Sequence, residues 1–148
     1  DLIVGEDTRR LADSAFLLEE FLVHLKAKGE LDLALRERPG RALFHGHCHQ
    51  KSLVGSGPSL EALRLVPGLE VEEISSGCCG MAGSFGYRKD NYDISLKISE
   101  LKLFPAIRKG GAQTHVIANG VSCRQQIGHG TGRKARHLAE ILADALEG

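Results

Sequence analysis

Four cysteines are the residues of this 148-residue chain whose type and spacing could support chemistry: Cys48, the adjacent pair Cys78 and Cys79, and Cys123. Thiolates bind zinc and iron–sulfur clusters, and they take part in redox reactions. The first residues are acidic and lack the basic segment of a signal peptide, so we expect a reducing compartment. Four thiols there indicate metal or redox chemistry before structural disulfides.

The spacing of the cysteines differs from that of the common compact metal motifs. There is no Cys-x-x-Cys pair of a zinc finger or ribbon, and no ferredoxin run. Adjacent residues cannot easily aim both thiolates at one tetrahedral ion, whereas a multi-iron cluster offers separate metal corners. The alternatives are small buried apolar cysteines or a strained vicinal disulfide. Four glycines of the loop are predicted to let the backbone approach a bulky cluster: Gly77, Gly80, Gly83 and Gly86.

Three predicted strands each end shortly before one of these cysteine positions. They cover residues 41–44, 69–74 and 114–118 and alternate with helical patterns. This order predicts an α/β fold with a small parallel sheet of about three to four strands, flanking helices and a leading N-terminal helix. The carboxyl ends of parallel strands lie on one edge, where ligands bind, so the thiols are expected to converge there.

The helical patterns have apolar faces that we expect to be buried. The leading helix is expected to end at Gly29, a long helix to cover 91–109 with a kink at Pro105, and a last helix to cover 136–146. Shorter helices are predicted at 59–66 and from near Ser122. The residues expected to face inward are Leu11, Leu18, Phe21, Leu22 and Leu25, then Ile94, Ile98, Leu101 and Ile107, and finally Leu138, Ile141, Leu142 and Leu146.

Composition excludes several classes of function. Nineteen basic residues balance nineteen acidic ones, so no charge excess favours duplex DNA or an anionic membrane. No apolar run approaches the ~20 residues of a membrane span. We expect one domain over 1–148. Because the chain starts at Asp1 and its single methionine is Met81, we also expect a C-terminal fragment of a longer protein.

Three segments together resemble a known family. They are His-Gly-His-Cys-His at 45–49, Ser-Gly-Cys-Cys-Gly-Met-Ala-Gly-Ser-Phe-Gly at 76–86 and Asn-Gly-Val-Ser-Cys at 119–123. They are similar to the cysteine-rich CCG domain of heterodisulfide reductase and of the iron–sulfur subunits of glycolate and lactate oxidases. The chain looks most like the C-terminal module of large bacterial FAD-linked oxidases of the D-2-hydroxyacid dehydrogenase group. The likeness covers nearly the whole chain and is strongest over 43–87 and 117–137.

The resemblance implies a set of ligands. Cys48, Cys78, Cys79 and Cys123 match the family's first cysteine, its adjacent pair and its last cysteine, while Gly120 stands where another cysteine is expected. Five cysteines hold a non-cubane cluster in heterodisulfide reductase. Four leave an ordinary [4Fe-4S] cluster open, and zinc is the alternative.

The neighbouring histidines are weighed separately. On an extended stretch, His45, His47 and His49 would point to one side and Cys48 to the other. His49 matches the family's Cys-His and is equally compatible with a further ligand or with a loop histidine bonded to backbone. For His47 the backbone-bonded role is favoured.

The function implied by the resemblance is electron transfer. The iron–sulfur cluster would receive electrons from an FAD in the parent enzyme, outside this chain, during oxidation of a 2-hydroxy acid. The implied partners are the flavin and ferredoxin-like domains of that parent, and the chain alone, with no catalytic residue of its own, is not expected to turn over substrate. The implied location is cytoplasmic, or peripheral to the membrane through the parent enzyme. The alternatives are a structural zinc module and a metal-free interaction domain.

Overall fold

A parallel four-stranded sheet forms the centre of the molecule, whose computed structural model describes residues 5–146. The strand order is β2-β1-β3-β4, and every neighbouring pair is parallel. The outer strands are therefore β2 and the very short β4. This confirms the predicted α/β class and sheet. The strands are β1 (Gly40–His45), β2 (Leu69–Glu73), β3 (His115–Ala118) and β4 (Ala135–Arg136).

Helices cover both faces of this sheet, as parallel sheets require. Alternate residues of β1 and β3 point into two separate apolar clusters. Leu43 and Val116 pack with one cluster, whereas Phe44 and Ile117 pack with the other. Two 3-10 turns cover 85–87 and 89–91. The helices are α1 (Glu6–Asp13), α2 (Leu18–Lys28), α3 (Cys48–Leu53), α4 (Gly57–Leu63), α5 (Tyr92–Glu100), α6 (Leu103–Lys109), α7 (Val121–Thr131) and α8 (Leu138–Ala145).

The sequence predicts one leading helix, whereas the structure has two, α1 and α2. The helix is broken between α1 and α2, where the Glu20 carboxylate accepts a hydrogen bond from the Leu17 N–H and starts the second helix. The expected inward residue Leu11 is 71% exposed, and Phe21 is exposed as well. The buried residue of α2 is instead Glu19.

The long helix predicted over 91–109 is also two helices. It breaks between α5 and α6, and Pro105 lies in the first turn of α6, where its missing N–H is harmless. Ile94 and Leu101, both expected inside, are 51% and 77% exposed. The buried residues of α5 are two serines, because backbone of the cysteine loop approaches that face closely.

The last helix begins later than predicted. Arg136 belongs to β4, and α8 starts at Leu138 after His137, whose side chain accepts a hydrogen bond from the Ala139 N–H. Leu146 lies beyond the helix and is exposed; it forms an isolated antiparallel bridge with Leu35. The helical period had predicted Arg136 as the start of this helix, but pairing with β3 makes it part of the sheet.

Three expectations concern the chain as a whole: the absence of a membrane span, the single domain and the origin as a fragment. No helix within residues 5–146 is both long enough and apolar enough to traverse a bilayer. The single domain over 1–148 stays a prediction, as does its origin as a fragment.

Candidate metal centre

All four cysteines follow the carboxyl ends of the three long strands. Cys48 is the first residue of α3 after β1, Cys78 and Cys79 lie in the loop after β2, and Cys123 is in the first turn of α7 after β3. In the sheet β1 lies between β2 and β3. The three connections therefore start side by side, at the edge where parallel α/β proteins bind ligands.

A buried group of three side chains lies at this edge: His45, Cys79 and Cys123. One ligand atom of each lies within 4.8 Å of the others, and all three residues are almost fully buried. The His45 Nδ1 atom forms a hydrogen bond of 2.9 Å with the Ser76 hydroxyl oxygen, while His45 Nε2 is buried without a partner among the described residues. A buried polar atom without a partner is unfavourable unless a ligand pairs with it. The donor set therefore fits a metal.

The two buried thiols differ in acidity. A hydrogen bond from Cys123, aided by His45 and the Met81 N–H, lowers the pKa of the Cys79 thiol despite its burial. The same hydrogen bond, together with burial, raises the pKa of Cys123. In this hydrogen bond the Cys123 thiol is the donor and the Cys79 sulfur is the acceptor. A metal ion bound to both sulfurs would displace that proton.

Cys48 and Cys78 lie at the rim of this group rather than inside it. Cys48 is exposed, whereas Cys78 is half-buried and its sulfur accepts a hydrogen bond of 3.2 Å from the Gly80 N–H. Burial raises the pKa of Cys78. The charges of both residues also raise the pKa of Cys123, so the four sulfurs share one electrostatic environment.

The histidines are placed differently from the sequence-based expectation. His49 is exposed on α3, with its ring centroid 6.4 Å from that of His47, and it is not part of the buried group. His45 is the histidine that joins Cys79 and Cys123, and sequence reasoning missed it. The available signal was its position as the final residue of β1, at the carboxyl edge of a central strand.

Two of the four glycines in the cysteine loop, Gly80 and Gly86, pack closely against α5. A Cβ atom at Gly80 would overlap the backbone carbonyl of Ser95, and one at Gly86 would lie 2.5 Å from the Ser95 hydroxyl oxygen. The Ser99 hydroxyl donates a hydrogen bond of 2.5 Å to the Cys79 carbonyl. At Gly77 and Gly83 a Cβ atom would meet no atom within 4 Å. Gly80 and Gly86 therefore admit the close approach of α5, and the role of the loop glycines beside a cluster stays a prediction.

A second buried group joins the segments that carry Cys48 and Cys123. The Glu19 Oε1 atom accepts hydrogen bonds from Gln50 Nε2 (2.5 Å), Ser59 Oγ (3.0 Å) and Asn119 Nδ2 (2.8 Å). Gln50 belongs to α3 and Asn119 to the loop before α7. One carboxylate of α2 therefore ties both segments together. Sequence reasoning missed it, although an acidic residue on the apolar side of a predicted helix was a signal.

The burial of the thiols predicts their order of modification. In the metal-free chain, a charged maleimide should react with Cys48 first, because its side chain is exposed. Cys123 requires local opening, and an opening free energy of even ~2 kcal/mol slows modification about 30-fold. Mass spectrometry of timed samples measures the order, and Cys48→Ser should remove the fast phase. Equal rates at Cys48 and Cys123 would contradict the buried position of Cys123.

Comparisons with known proteins show what this chain is similar to. No family model matches the chain, and no solved structure matches it. The chain is 33% identical over 144 residues to a subunit of anaerobic glycerol-3-phosphate dehydrogenase of Escherichia coli K12, covering 97% of this chain and 36% of that protein. The chain thus spans about a third of that relative's length. The fold is that of an α/β module, and its sequence is similar to a subunit of a dehydrogenase.

Two further relatives are similar to this chain over much of its length. The chain is 32% identical over 105 residues to D-2-hydroxyglutarate dehydrogenase of the same organism, covering 70% of this chain and 10% of that protein. It is 27% identical over 145 residues to lactate utilization protein A of Geobacillus thermodenitrificans, covering 93% of this chain and 58% of that protein. The predicted similarity to dehydrogenases of 2-hydroxy acids is confirmed by the match to D-2-hydroxyglutarate dehydrogenase.

Proposed function

We propose that this chain is an iron–sulfur-binding electron-transfer module of the cysteine-rich CCG type. The observation that carries the proposal is the buried group of His45, Cys79 and Cys123, with two further thiols at the same edge of the sheet. Cys48, Cys78, Cys79 and Cys123 are the proposed ligands, as the sequence resemblance implies. His45 is added to this set because one of its ring nitrogens lies within 4.8 Å of the Cys79 and Cys123 sulfurs.

The chemistry of these donors fits a soft metal centre. Thiolates select iron–sulfur clusters and zinc over the hard cations that prefer oxygen. The Gly80 N–H donates to the Cys78 sulfur, and such hydrogen bonds to ligating sulfurs adjust the reduction potential. An iron–sulfur cluster held here would supply single-electron transfer. The chain's own part is to bind, to bury and to set the charge around the sulfurs.

The parent reaction is proposed from the names of the relatives. Those names include dehydrogenases of glycerol-3-phosphate and D-2-hydroxyglutarate, and a lactate utilization protein. We therefore assign the module to an FAD-linked 2-hydroxyacid oxidoreductase. The flavin and ferredoxin-like domains of that enzyme are its proposed partners, and the cytoplasm is the proposed location, with peripheral membrane association through the parent as the alternative. Its role is to relay electrons from the flavin.

Anaerobic reconstitution tests the metal site. The chain incubated with iron and sulfide should turn brown, and Cys79→Ser should reduce the bound iron to less than about a tenth, because a buried ligand is lost. Iron and sulfide analysis with the visible absorption spectrum are the measurements. Ser84→Ala, an exposed change in the same loop, is the matched control. A wild-type chain that stays colourless and free of iron would overturn the iron–sulfur assignment.

A structural zinc site is the second candidate, and the mixed donor set favours it. Zinc is bound by combinations of imidazole and thiolate, and His45 with Cys79 and Cys123 provides three such donors. Stoichiometric zinc without iron, and a lower melting temperature after chelation, would identify this function. A chain that binds neither metal, with a melting temperature unaffected by chelation, would point to the metal-free interaction domain.

A further inference from the structure

We propose that His47 supplies a second imidazole to the metal centre, beside Cys123, in the space that Gly120 leaves open. This inference rests on the proposed metal-binding function. A Cβ atom built on Gly120 would lie 2.5 Å from His47 Cδ2 and 2.9 Å from Cys123 Sγ. The His47 ring and the Cys123 sulfur therefore converge on the same point.

The backbone of Gly120 shows why this position lacks a side chain. Its φ of −70° and ψ of 131° are extended values that any residue adopts, so the conformation does not require glycine. Space does, because a side chain would collide with both the His47 ring and the Cys123 sulfur. Gly120 and His47 are thus complementary: the absence of one side chain admits the other.

The position of His47 leaves its imidazole available. It precedes α3 as the N-cap residue, where side chains commonly accept a hydrogen bond from the first turn of the helix. The His47 side chain forms no such cap; its backbone carbonyl accepts a hydrogen bond of 2.9 Å from the Lys51 N–H. The half-buried ring is instead held against Gly120. The His47 side chain is thus placed by packing against Gly120 rather than by capping.

A second imidazole would change the net charge of the ligand set. Two imidazoles, from His45 and His47, would stand with the two buried thiols of Cys79 and Cys123. An imidazole in place of a thiolate leaves the buried centre less negative, which lowers the cost of burying it. Replacing thiolate ligands by imidazole also raises the reduction potential of an iron–sulfur centre. His47 would therefore set both the affinity and the potential of the site.

Cobalt(II) added to the metal-free chain under anaerobic conditions tests this inference. Its charge-transfer bands report thiolate ligands, and its ligand-field bands report geometry. We expect His47→Ala to weaken cobalt binding about 10- to 100-fold and to shift the ligand-field bands. The matched control is His129→Ala, which removes an exposed imidazole of α7 and should change neither. Titration of cobalt against absorbance gives both readouts.

A reciprocal exchange provides the sharper comparison. Combining Gly120→Cys with His47→Ala replaces the imidazole by a thiol in the space that the ring vacates. Thiolate charge-transfer intensity should rise, and cobalt affinity should recover in part, because the contact of the new Cβ atom with Cys123 Sγ remains. Gly120→Cys alone leaves the ring in place, and should lower the melting temperature of the metal-free chain through the clash. His47→Gln, which has a side chain of similar reach, gives the same comparison if His47→Ala does not fold.

The outcomes separate the inference from the proposed function. Wild-type affinity and spectrum in a folded His47→Ala or His47→Gln chain would overturn the role of His47 and leave the metal site standing. Failure of the wild-type chain to bind cobalt would overturn the metal-binding function itself. Loss of affinity in the His129→Ala control equal to that in His47→Ala would also overturn the specific assignment.

Discussion

Gly80→Ala is expected to lower the free energy of unfolding by about 3 kcal/mol or more. Gly80 has a φ of +88°, a conformation that strains a residue with a side chain. The new methyl group would also overlap the Ser95 carbonyl of α5 and lie 3.0 Å from its carbonyl carbon. The helix cannot easily retreat, because Gln126 Nε2 donates a hydrogen bond of 2.8 Å to the Ser95 hydroxyl. Conformational strain and overpacking therefore add.

Gly83→Ala is the matched control for this substitution. Gly83 has a φ of +65° in the same loop, but a Cβ atom there would meet nothing within 4 Å. Only the conformational cost remains, about 1 kcal/mol. Urea unfolding of the metal-free chains, followed by circular dichroism, measures both. Equal losses at the two positions would show that the contact with α5 does not determine the stability of the loop.

Glu19→Ala is expected to destabilise the chain by about 3 kcal/mol. The change removes the acceptor of three hydrogen bonds, from Gln50, Ser59 and Asn119, in a site where Glu19 is only 4% exposed. Gln50 Nε2 keeps its second hydrogen bond, of 2.7 Å, to Ser59 Oγ. Each buried polar group without a partner costs about 1–3 kcal/mol, reduced here by relaxation and water entry. Because Gln50 and Asn119 flank the segments carrying Cys48 and Cys123, cobalt affinity should fall as well.

Glu20→Ala is the control for Glu19→Ala. Glu20 is the next residue of α2 and accepts one hydrogen bond of 3.0 Å from the Leu17 N–H, at the start of the helix. Loss of such a cap costs about 1 kcal/mol and should leave cobalt affinity unchanged. Chemical denaturation and metal titration on the same preparations provide the comparison. A Glu19→Ala chain as stable as Glu20→Ala would contradict the linking role of the buried carboxylate.

The sheet could be predicted because its strands carry a local signal. Apolar residues run through β1 and β3, and residues 69–72 of β2 alternate between apolar and acidic. The helix faces could not be predicted as well. Ile94 and Leu101 follow a helical period, yet the small side chains of Ser95 and Ser99 face the core, because backbone of the Gly80 loop approaches there. That approach is a tertiary constraint absent from the period of α5.

The same distinction applies to the site. The position of the cysteines after three strands was enough to predict that Cys79 and Cys123 meet, because parallel strands share a carboxyl edge. His45 could not be found by the alternation of side chains around Cys48, because its partners are Cys79 and Cys123, which arrive from other strands. His47 and Gly120 form a pair across 73 positions of the sequence, so only the folded chain shows that one fills the space of the other.

The two outer strands of the sheet affect whether two molecules of this chain can pair edge to edge. An exposed strand edge is a template for pairing with a second molecule, and natural proteins protect it with charge or with brevity. Here β2 carries Glu70, Glu72 and Glu73 within five residues, while β4 is only two residues long. One edge therefore repels an incoming strand, and the other offers too few backbone groups to hold one. The arrangement disfavours edge-to-edge aggregation.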